Sequence, residues 1–552
     1  MSTTKPTRTD AGQGGFFTRK SSGLVREAGL LDTVFYNWVA AGAVGLALVY
    51  NLYWALNAFP GVDLISATLL VVPFAVCAVL VFGLLAAAIP RSGGDYVFVS
   101  RVVHPVWGFI SSWTGFISVV AYAGWVAWFA AVAFVPAMFG VIGHSTGSQA
   151  MFDLSAWAAS RLGSFVIAGS LLLIAGALMI AGLKVTLRTI TILAIVGLVG
   201  LGLSAVVLLI NTRDGFMSAF NAYANPLMGT GNAYQAILDL GAEQGLPAVS
   251  AGSAGFGSAT LPTLVITFYA IGYAVWSVFY AGEFKGARDR NRQLRSMGIP
   301  MVLNLFVFVA MFALMFRTVG YEFINASSYL YNWVPDQYPL PVPPFAPFFA
   351  ALLSGNDVLN VVIAVTWTTW PIAMLFLIMV GFSRVLFAWS FDGVMPKTMA
   401  EVNPRTHTPV KAIVASAVLT LIALVLLLQF EQFLTFLAYT VILALVFWGS
   451  TALAGILLPY RQRDVYASSS ARWSVGKIPV ITIAGVILLA FVIFEFVAFF
   501  TWPGLGVENR GQAVVVVAAV IALGAAIFGL SYLRHRSRGQ DLMLVYREIP
   551  PE

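Results

Sequence analysis

Residues 263–295 read TLVITFYAIGYAVWSVFYAGEFKGARDRNRQLR, an apolar stretch followed by a dense run of charges. The apolar part, Thr263–Gly282, is about 20 residues long, the length with which a helix crosses a bilayer. Gly272 lies near its middle, where a glycine weakens a helix by about 1 kcal/mol relative to alanine. Lipid tolerates an interrupted helix only where protein or a wet cavity satisfies the freed backbone groups. The segment around Gly272 is therefore a candidate substrate site, or alternatively a point at which a small residue lets two helices pack closely.

The composition excludes a soluble globular protein. Of the 552 residues, 60% are hydrophobic and only 10% are charged, whereas soluble proteins are about 25% charged. Apolar runs of membrane-spanning length recur along the chain, which predicts an all-α polytopic membrane protein with about 12 transmembrane helices. The single cysteine, Cys77, and four histidines without i, i+4 spacing predict no disulfide, no metal site and no cofactor.

The predicted spans are separated by connections of very different length. The residues before the first span, Gly23–Trp38, predict a short amphipathic segment that lies on the membrane surface. The long connection between spans 5 and 6 predicts a short surface helix, and Phe345–Leu353 predicts another. The spans are predicted near residues 34–56, 64–88, 106–135, 165–181, 190–210, 263–282, 299–316, 359–389, 412–428, 433–458, 480–500 and 513–533.

The basic residues predict the orientation of the spans. With both termini in the cytoplasm, almost every lysine and arginine falls in a cytoplasmic segment, as the positive-inside rule requires. The exceptions are Arg161, Arg213, Arg317 and Arg510. The net charge of +7 therefore reflects topology in the cell membrane, where lipid surrounds the protein, and it requires no nucleic-acid partner.

Spans 1 and 6 both carry glycine near mid-depth, at Gly45 and Gly272. With five spans in each half, spans 1–5 and 6–10 would be related by inversion, and interrupted segments at corresponding positions of two such repeats are typical of transporter sites. The predicted fold is therefore a five-plus-five inverted repeat with broken helices 1 and 6 and two additional C-terminal helices. Its divisions are a cytoplasmic N-terminal tail (1–30), repeat 1 (31–211), an extracellular loop (212–260), repeat 2 (261–458), spans 11 and 12 (459–533) and a cytoplasmic C-terminal tail (534–552).

Four pieces of the sequence, in order, resemble the amino acid–polyamine–organocation transporter superfamily. The most specific is IPRSGGDYVFVSRVVHPVWGF at Ile89–Phe109, which is similar to the family's loop between helices 2 and 3. The lead-in GLVREAGLLDTV, the helix 6 exit AGEFKGARDRNRQLR and the helix 8–9 junction at Ser383–Val410 resemble the corresponding family segments, and the tail GQDLMLVYREIPPE resembles that of some members. The resemblance implies a secondary active transporter or exchanger of amino acids or related small neutral organic solutes. Such a protein works by alternating access, as an antiporter or a symporter.

The resemblance also implies where a substrate binds. In the superfamily the unwound part of helix 1 carries a glycine-rich stretch whose N–H groups hold a carboxylate, because a half-helix N-terminus carries a partial positive charge. In this chain, alanines stand where glycine is usual at the ends of that stretch. The predicted substrate-binding residues are Ala41, Gly42, Ala43, Val44 and Gly45 of span 1, Ala270, Ile271, Gly272, Tyr273 and Trp276 of span 6, and Tyr122 of span 3.

No acidic residue lies near either break, so a cationic substrate, which would need a buried carboxylate, is disfavoured. Tyr273 and Trp276 indicate an aromatic pocket, in which cation–π contacts would be weak. Sodium-coupled relatives have hydroxyl residues in the inner half of helix 8, where Pro371–Phe376 has none. Proton-coupled relatives can have a lysine inside helix 5, whereas Lys184 precedes predicted span 5. Exchange, or proton coupling through another group, stays open.

Three charged residues, Asp95, Glu283 and Arg384, are predicted to form a gate at the cytoplasmic mouth, or alternatively to be ordinary interface charges. Asp95 is also placed to cap the segment that follows the turn at Gly93-Gly94. Glu495 is the deepest isolated carboxylate. Its predicted role is either a packing or dimer contact or a proton relay.

The main alternative to transport is a transporter-fold sensor or scaffold that binds a ligand or partner without moving it, because the helix 1 motif is degraded. A membrane-embedded enzyme is disfavoured because no catalytic cluster of histidine, cysteine or paired acids is apparent. The predicted partner is a small-molecule substrate, and a homodimer stays open.

Overall fold

The structure is a computed structural model that describes residues 23–42, 44–429 and 433–549, with only the backbone described at 433–437. Within this part of the chain, eleven helices are long and apolar enough to cross a membrane. A shorter apolar helix, Phe256–Ile271, lies at the position predicted for span 6. The predicted all-α polytopic fold is therefore confirmed. The tail residues 1–22 and 550–552 lie outside the described residues.

The observed helices keep the span numbers of the sequence prediction. Spans 1 and 6 are interrupted and are described below. A small hairpin of two strands, Ser474–Val475 and Ile478–Pro479, lies between spans 10 and 11. The remaining bounds are Leu64–Leu70 and Val72–Ala88 (span 2), Pro105–Thr146 (span 3), Arg161–Ala181 (span 4), Leu183–Ile210 (span 5), Arg290–Met315 (span 7), Asp357–Phe391 (span 8), Val410–Gln429 (span 9), Phe433–Arg461 (span 10), Val480–Thr501 (span 11) and Arg510–Arg536 (span 12).

Several spans extend further than their apolar stretches. Span 3 continues through a π-helical turn at Ala130–Phe134 to Thr146, and span 5 begins within charged sequence at Leu183. After Met315, span 7 continues through a π-helical turn into the helix Tyr321–Trp333. Hydropathy indicates where a helix can meet lipid, whereas backbone hydrogen bonds extend the helix into polar sequence.

The long connections contain helices, and the connection between spans 5 and 6 has two where the sequence predicted one. Between spans 5 and 6 lie two helices, Arg213–Met228 and Ala233–Glu243. Between spans 7 and 8, a 3-10 turn at Pro335–Gln337 precedes the helix Ala346–Ser354. The second of these connections confirms the helix predicted at Phe345–Leu353.

The loops that carry the basic clusters meet at one end of the bundle, which we call the basic end. Polar contacts join the 2–3 loop to the 8–9 and 10–11 loops. Further contacts join the ends of spans 4 and 12 to the 8–9 loop. These contacts pair Arg101 with Asp392, Gln462 with Arg101, Thr408 with Ile180 and His535 with Gly393.

The segment before span 1 differs from the predicted amphipathic surface segment. Residues 23–29 are not helical, and the first helix begins at Leu30. The Ala28 N–H donates to the Glu283 carbonyl at 3.1 Å, and the Ala28 carbonyl accepts from the Lys285 N–H at 3.0 Å. The prediction is wrong because the main chain after span 6 offers hydrogen-bond partners that amphipathic patterning does not reveal. The lead-in therefore ties span 1 to the end of span 6.

Spans 1 and 6 are both broken, as predicted. The first helix of span 1, Leu30–Ala40, ends in a turn at Gly42, whose φ of +80° is a conformation that glycine adopts without strain. The helix resumes at Val44–Tyr50 and continues through a π-helical turn. In span 6 the helix Leu261–Ile271 gives way to turns and then to a 3-10 segment, Trp276–Phe279.

Candidate functional site

A cavity of about 1050 Å³ lies between the interrupted segments of spans 1 and 6. Spans 3, 8 and 10 and the end of span 11 complete its wall. By element, the lining residues are Ala40, Gly42, Leu46, Ala47, Tyr50, Asn51 and Trp54 (span 1), Ser118, Val119, Tyr122 and Trp125 (span 3), Val265, Ile266, Tyr269, Ala270, Tyr273 and Trp276 (span 6), Met374 (span 8), Ala438, Thr440, Val441, Ala444 and Phe447 (span 10), and Phe499 and Leu505 (span 11 and the residues after it).

None of the described residues that line this cavity carries a charge. The polar groups on the wall are the hydroxyls of Ser118, Thr440 and four tyrosines, the amide of Asn51 and the indole N–H groups of three tryptophans. A mainly apolar and aromatic wall with a few polar groups is the usual lining of a site for a small organic molecule. The lining therefore fits a neutral solute better than an ionic one.

Five of the predicted substrate-binding residues are on the cavity wall. They come from three different spans, so the fold brings together residues that are far apart in sequence. Their contact with a substrate stays a prediction. The five are Gly42, Tyr122, Ala270, Tyr273 and Trp276.

The other predicted substrate-binding residues are not on the wall. Gly45 packs against span 8, where a Cβ atom would lie 2.4 Å from Cδ1 of Trp370. A Cβ atom on Gly272 would lie 2.4 Å from Cε2 of Phe268 in the same span. Both glycines therefore permit close packing beside the breaks. Ala41, Val44 and Ile271 are buried behind the wall, and Ala43 lies outside the described residues.

Among the polar atoms of the lining residues, Nε1 of Trp276 and Oδ1 of Asn51 have no hydrogen-bond partner in the described structure. The Asn51 amide nitrogen donates to the Ala47 carbonyl at 2.9 Å. Leaving a buried polar atom unpaired costs about 1–3 kcal/mol. A solute with an acceptor for the indole and a donor for the amide oxygen would remove this cost.

One side chain of span 7 connects the two breaks. The Asn304 amide nitrogen donates to the carbonyl oxygen of Ala41 at 3.2 Å and to that of Ala270 at 3.1 Å. These carbonyls lie where the first half of each broken helix ends, and helix ends lack intrahelical donors. Asn304 is fully buried, and the sequence prediction missed it. The available signal was an amide in the middle of an apolar span.

Side chains of spans 1, 6 and 8 lie between the cavity and the basic end. The side-chain oxygen Oδ1 of Asn37 accepts from the Ser277 N–H, and Nδ2 of the same amide donates to the Ser277 hydroxyl, both at 2.9 Å. Further toward the basic end, the Arg384 guanidinium donates to both carboxylate oxygens of Glu283, at 2.9 and 3.0 Å. Two of the three predicted gate residues thus form a buried ion pair, and their role as a gate stays a prediction.

Asp95 is not part of that ion pair. It is the first residue of the helix Asp95–Val102, whose N-cap is Gly94. The predicted cap is therefore wrong, because the helix starts one residue earlier than a cap at Asp95 would require. The Oδ2 atom of Asp95 has no partner in the described structure. Burial raises the pKa of this carboxyl from 3.8 to about 7, since a charge is poorly solvated there.

A second buried ion pair lies at the basic end, where Arg101 and Asp392 approach to 2.7 Å. Tyr96 donates to Asp392 at 2.7 Å, and its hydroxyl lies 3.0 Å from that of Tyr546. The Arg101 guanidinium lies 4.8 Å from the centroid of the Tyr546 ring. The C-terminal tail is therefore docked on the 2–3 loop. The sequence prediction missed this cluster because its members are far apart in the chain.

Glu495 lies on the face of span 11 that packs into the bundle and is 1% exposed. Its Oε1 atom has no partner in the described structure. The carboxyl is close enough to Tyr269 and Tyr273 for a charge on it to act on both hydroxyls. Because Glu495 points inward, it is not placed for a contact with a second copy of the chain. Internal packing and proton relay stay as the alternatives.

The sequence prediction also missed the contributions of span 10 and of the outer half of span 1. Tyr50 and Trp54 lie on the wall one helical turn apart, as do Thr440 and Ala444. The i, i+4 spacing places such pairs on one helix face. The sequence signal for the wall of span 1 was the pair of amphipathic rings, Tyr50 and Trp54, at this spacing in an apolar span.

Comparison with known proteins gives one family. The sequence model described as amino acid permease matches residues 33–528, which includes all twelve spans except the first residues of span 1 and the last residues of span 12. No curated protein matches the chain.

Proposed function

Because the chain belongs to the amino acid permease family, we propose that it is a secondary active transporter or exchanger of amino acids or related small neutral organic solutes. The solute crosses the cytoplasmic membrane by alternating access. The basic end faces the cytoplasm, in keeping with the positive-inside rule. The family supports transport of such solutes in general, and the geometry below supports the finer features of the proposal.

The observation that carries the proposal is the uncharged cavity between the two broken helices. Interrupted helices in a bilayer expose main-chain groups that a solute can use. Gly42 and Ala270 line the cavity next to the two breaks. A zwitterionic or neutral solute fits this arrangement.

The aromatic residues of the cavity are proposed to hold the apolar part of the solute. The rings of Tyr273 and Trp276 lie 6.3 Å apart, and Tyr122 stacks on Trp125 at 5.4 Å. Aromatic pairs at these distances form well-defined surfaces. The unpaired indole N–H of Trp276 and amide oxygen of Asn51 would then orient the polar part.

Transport requires that the cavity open to each side in turn. In the described conformation, Trp276, the contacts of Asn37 with Ser277 and the ion pair of Glu283 with Arg384 lie between the cavity and the basic end. Opening toward the basic end would separate the end of span 6 from spans 1 and 8. These contacts are therefore proposed to form the cytoplasmic gate.

Uptake into liposomes tests the proposal. The full-length protein is reconstituted and supplied with a panel of labelled amino acids, amines and nucleobases. Saturable uptake or exchange of a neutral amino acid would support the proposal. Saturable binding without flux, seen as a thermal shift without uptake, would instead indicate a sensor. Chemical alteration of the solute would indicate an enzyme.

A further inference from the structure

We propose that Asp95 is the proton-binding site of the transporter and couples solute movement to a proton gradient. The inference rests on the proposed transport function. It goes beyond that function because it names the coupling ion and the group that carries it.

Asp95 lines a second, smaller cavity of about 310 Å³. Phe116, Phe279 and Phe382 contribute to its wall, and the other polar groups on the described wall are the Ser112 hydroxyl and the Trp276 indole N–H. No lysine, arginine or histidine is among the described residues that line it. A carboxylate enclosed by such groups lacks a counterion, so its protonated form is favoured.

The small cavity adjoins the solute cavity. Val119, Trp276 and Phe447 line both cavities and separate them. A solute in the larger cavity would therefore contact the wall behind which Asp95 lies. Rotation of the Trp276 side chain is sufficient to change the surroundings of both the solute and the carboxyl.

Asp95 also lies at the contact between the 2–3 loop and the end of span 6. The Gly93 N–H donates to the Phe279 carbonyl at 2.9 Å. A Cβ atom on Gly94 would lie 2.7 Å from the Phe279 ring, so the two segments are in close contact. Separation of these segments toward the basic end would admit water to Asp95. The carboxyl would then release its proton to that side.

These charged side chains on the elements around Asp95 have partners other than Asp95. On span 8, Arg384 pairs with Glu283 of span 6, and Asp392 pairs with Arg101 of the helix that contains Asp95. On span 10, Arg461 donates to the Val103 carbonyl.

The uncharged titratable groups on these elements are hydroxyls. They are Tyr96 on the helix of Asp95, Tyr280 at the end of span 6 and Tyr546 of the tail. Span 3 contributes Ser112 and no charged side chain to the small cavity. Neither nearby arginine is within ion-pair distance of Asp95. A proton is therefore the cation best placed to neutralise this carboxylate.

The first test needs no substrate. Infrared spectroscopy of the purified full-length protein across pH 7 follows the carbonyl stretch of a protonated carboxylic acid. We expect a band that titrates with a midpoint near pH 7, is lost in Asp95→Asn and is kept in Glu495→Gln. A band that persists in Asp95→Asn and disappears in Glu495→Gln would overturn the proposal in favour of span 11. If Asp95→Asn does not fold, an unchanged midpoint in Asp95→Glu would likewise overturn it.

The second test separates coupling from transport. Liposomes containing the protein receive a mixture of labelled alanine, leucine and phenylalanine, with and without an imposed pH gradient. Asp95→Asn should keep exchange at equal pH. It should lose the accumulation driven by the pH gradient, so that the solute reaches equal concentrations on both sides of the membrane. Asp95→Asn that accumulates solute like the wild type would overturn the inference. Wild-type protein without any exchange would count against the transport function instead, and the infrared result would still decide the proton site.

Discussion

Arg384 and Glu283 form a two-pronged ion pair in the interior of the protein, with side chains only 1% and 2% exposed. The two contacts measure 2.9 and 3.0 Å. They join the final part of span 8 to the end of span 6. The main-chain hydrogen bonds between the lead-in to span 1 and the residues after span 6 lie next to this ion pair. Three segments, which the proposed transport cycle would separate at the basic end, are thus held together within one small region.

Removing one partner of this ion pair should destabilise the closed conformation. Glu283→Ala leaves the Arg384 charge buried and unpaired, which costs about 3–5 kcal/mol. We expect a clear drop in the unfolding temperature in detergent. The matched control is Glu322→Ala at the exposed pair Arg213–Glu322, which should cost less than about 1 kcal/mol. Equal changes in the two variants would contradict the structural role of the buried pair.

Gly272→Leu should abolish uptake. The backbone of Gly272 is in an ordinary helical conformation, with φ of −77°, so the constraint is space and not backbone freedom. A side chain there meets the Phe268 ring at 2.4 Å and must displace the end of the first half of span 6.

Gly202→Leu in span 5 is the control for this substitution, because nothing lies within 4 Å of a Cβ atom at Gly202. Both variants are compared with the wild type in the liposome assay. Normal uptake by Gly272→Leu would remove the break in span 6 from the transport mechanism.

Asn304→Leu should disturb both broken helices at once. The substitution removes the donors to the Ala41 and Ala270 carbonyls, and each unpaired buried group costs about 1–3 kcal/mol. We expect a lower unfolding temperature together with weaker solute binding, since both carbonyls adjoin the cavity. Phe306→Ala, two residues further along the same span and 71% exposed, is the control. A variant with wild-type affinity would show that the two breaks keep their geometry without Asn304.

Stability should depend on pH through Asp95. Its pKa is about 7 in the folded protein, against an ordinary value of 3.8. Between these values the folded protein holds a proton that the unfolded chain has released, so stability falls as the pH rises toward 7 and stays reduced above it. Asp95→Asn cannot ionise, so above pH 7 it should be more stable than the wild type by at most about 4 kcal/mol. Thermal unfolding of both proteins at a series of pH values measures this difference. If the stability of the wild type and of Asp95→Asn changed in parallel with pH, the prediction would be refuted.

The docked tail should protect the 2–3 loop. Tyr546→Ala removes both the ring that lies against Arg101 and the hydroxyl next to Tyr96. We expect faster amide hydrogen exchange in the helix Asp95–Val102. Leu544→Ala, at a tail residue that is 46% exposed, should leave the exchange rate unchanged. Unaltered exchange in Tyr546→Ala would mean that the tail contact does not stabilise the loop.

The sequence predicted the number and order of the spans, the breaks in spans 1 and 6 and the aromatic character of the cavity. These features depend on residues close together in the chain, such as the apolar length around Gly272. The prediction failed where partners come from distant segments. The lead-in at Ala28 pairs with main chain some 250 residues away, and Asp95 was grouped with charges that pair with each other instead.

Local sequence by itself determined which segments enter the lipid, since burial of a span follows from its length and hydropathy. It also determined where a helix weakens, because glycine costs helical stability wherever it stands. Only the tertiary structure decided which polar groups meet. In the folded protein Glu283 pairs with Arg384, Asn304 lies between two main-chain carbonyls, and Asp95 lies in an apolar cavity. Such contacts depend on how each helix is rotated and packed, which no local pattern specifies, and hydrogen bonds and ion pairs act only over a few ångströms.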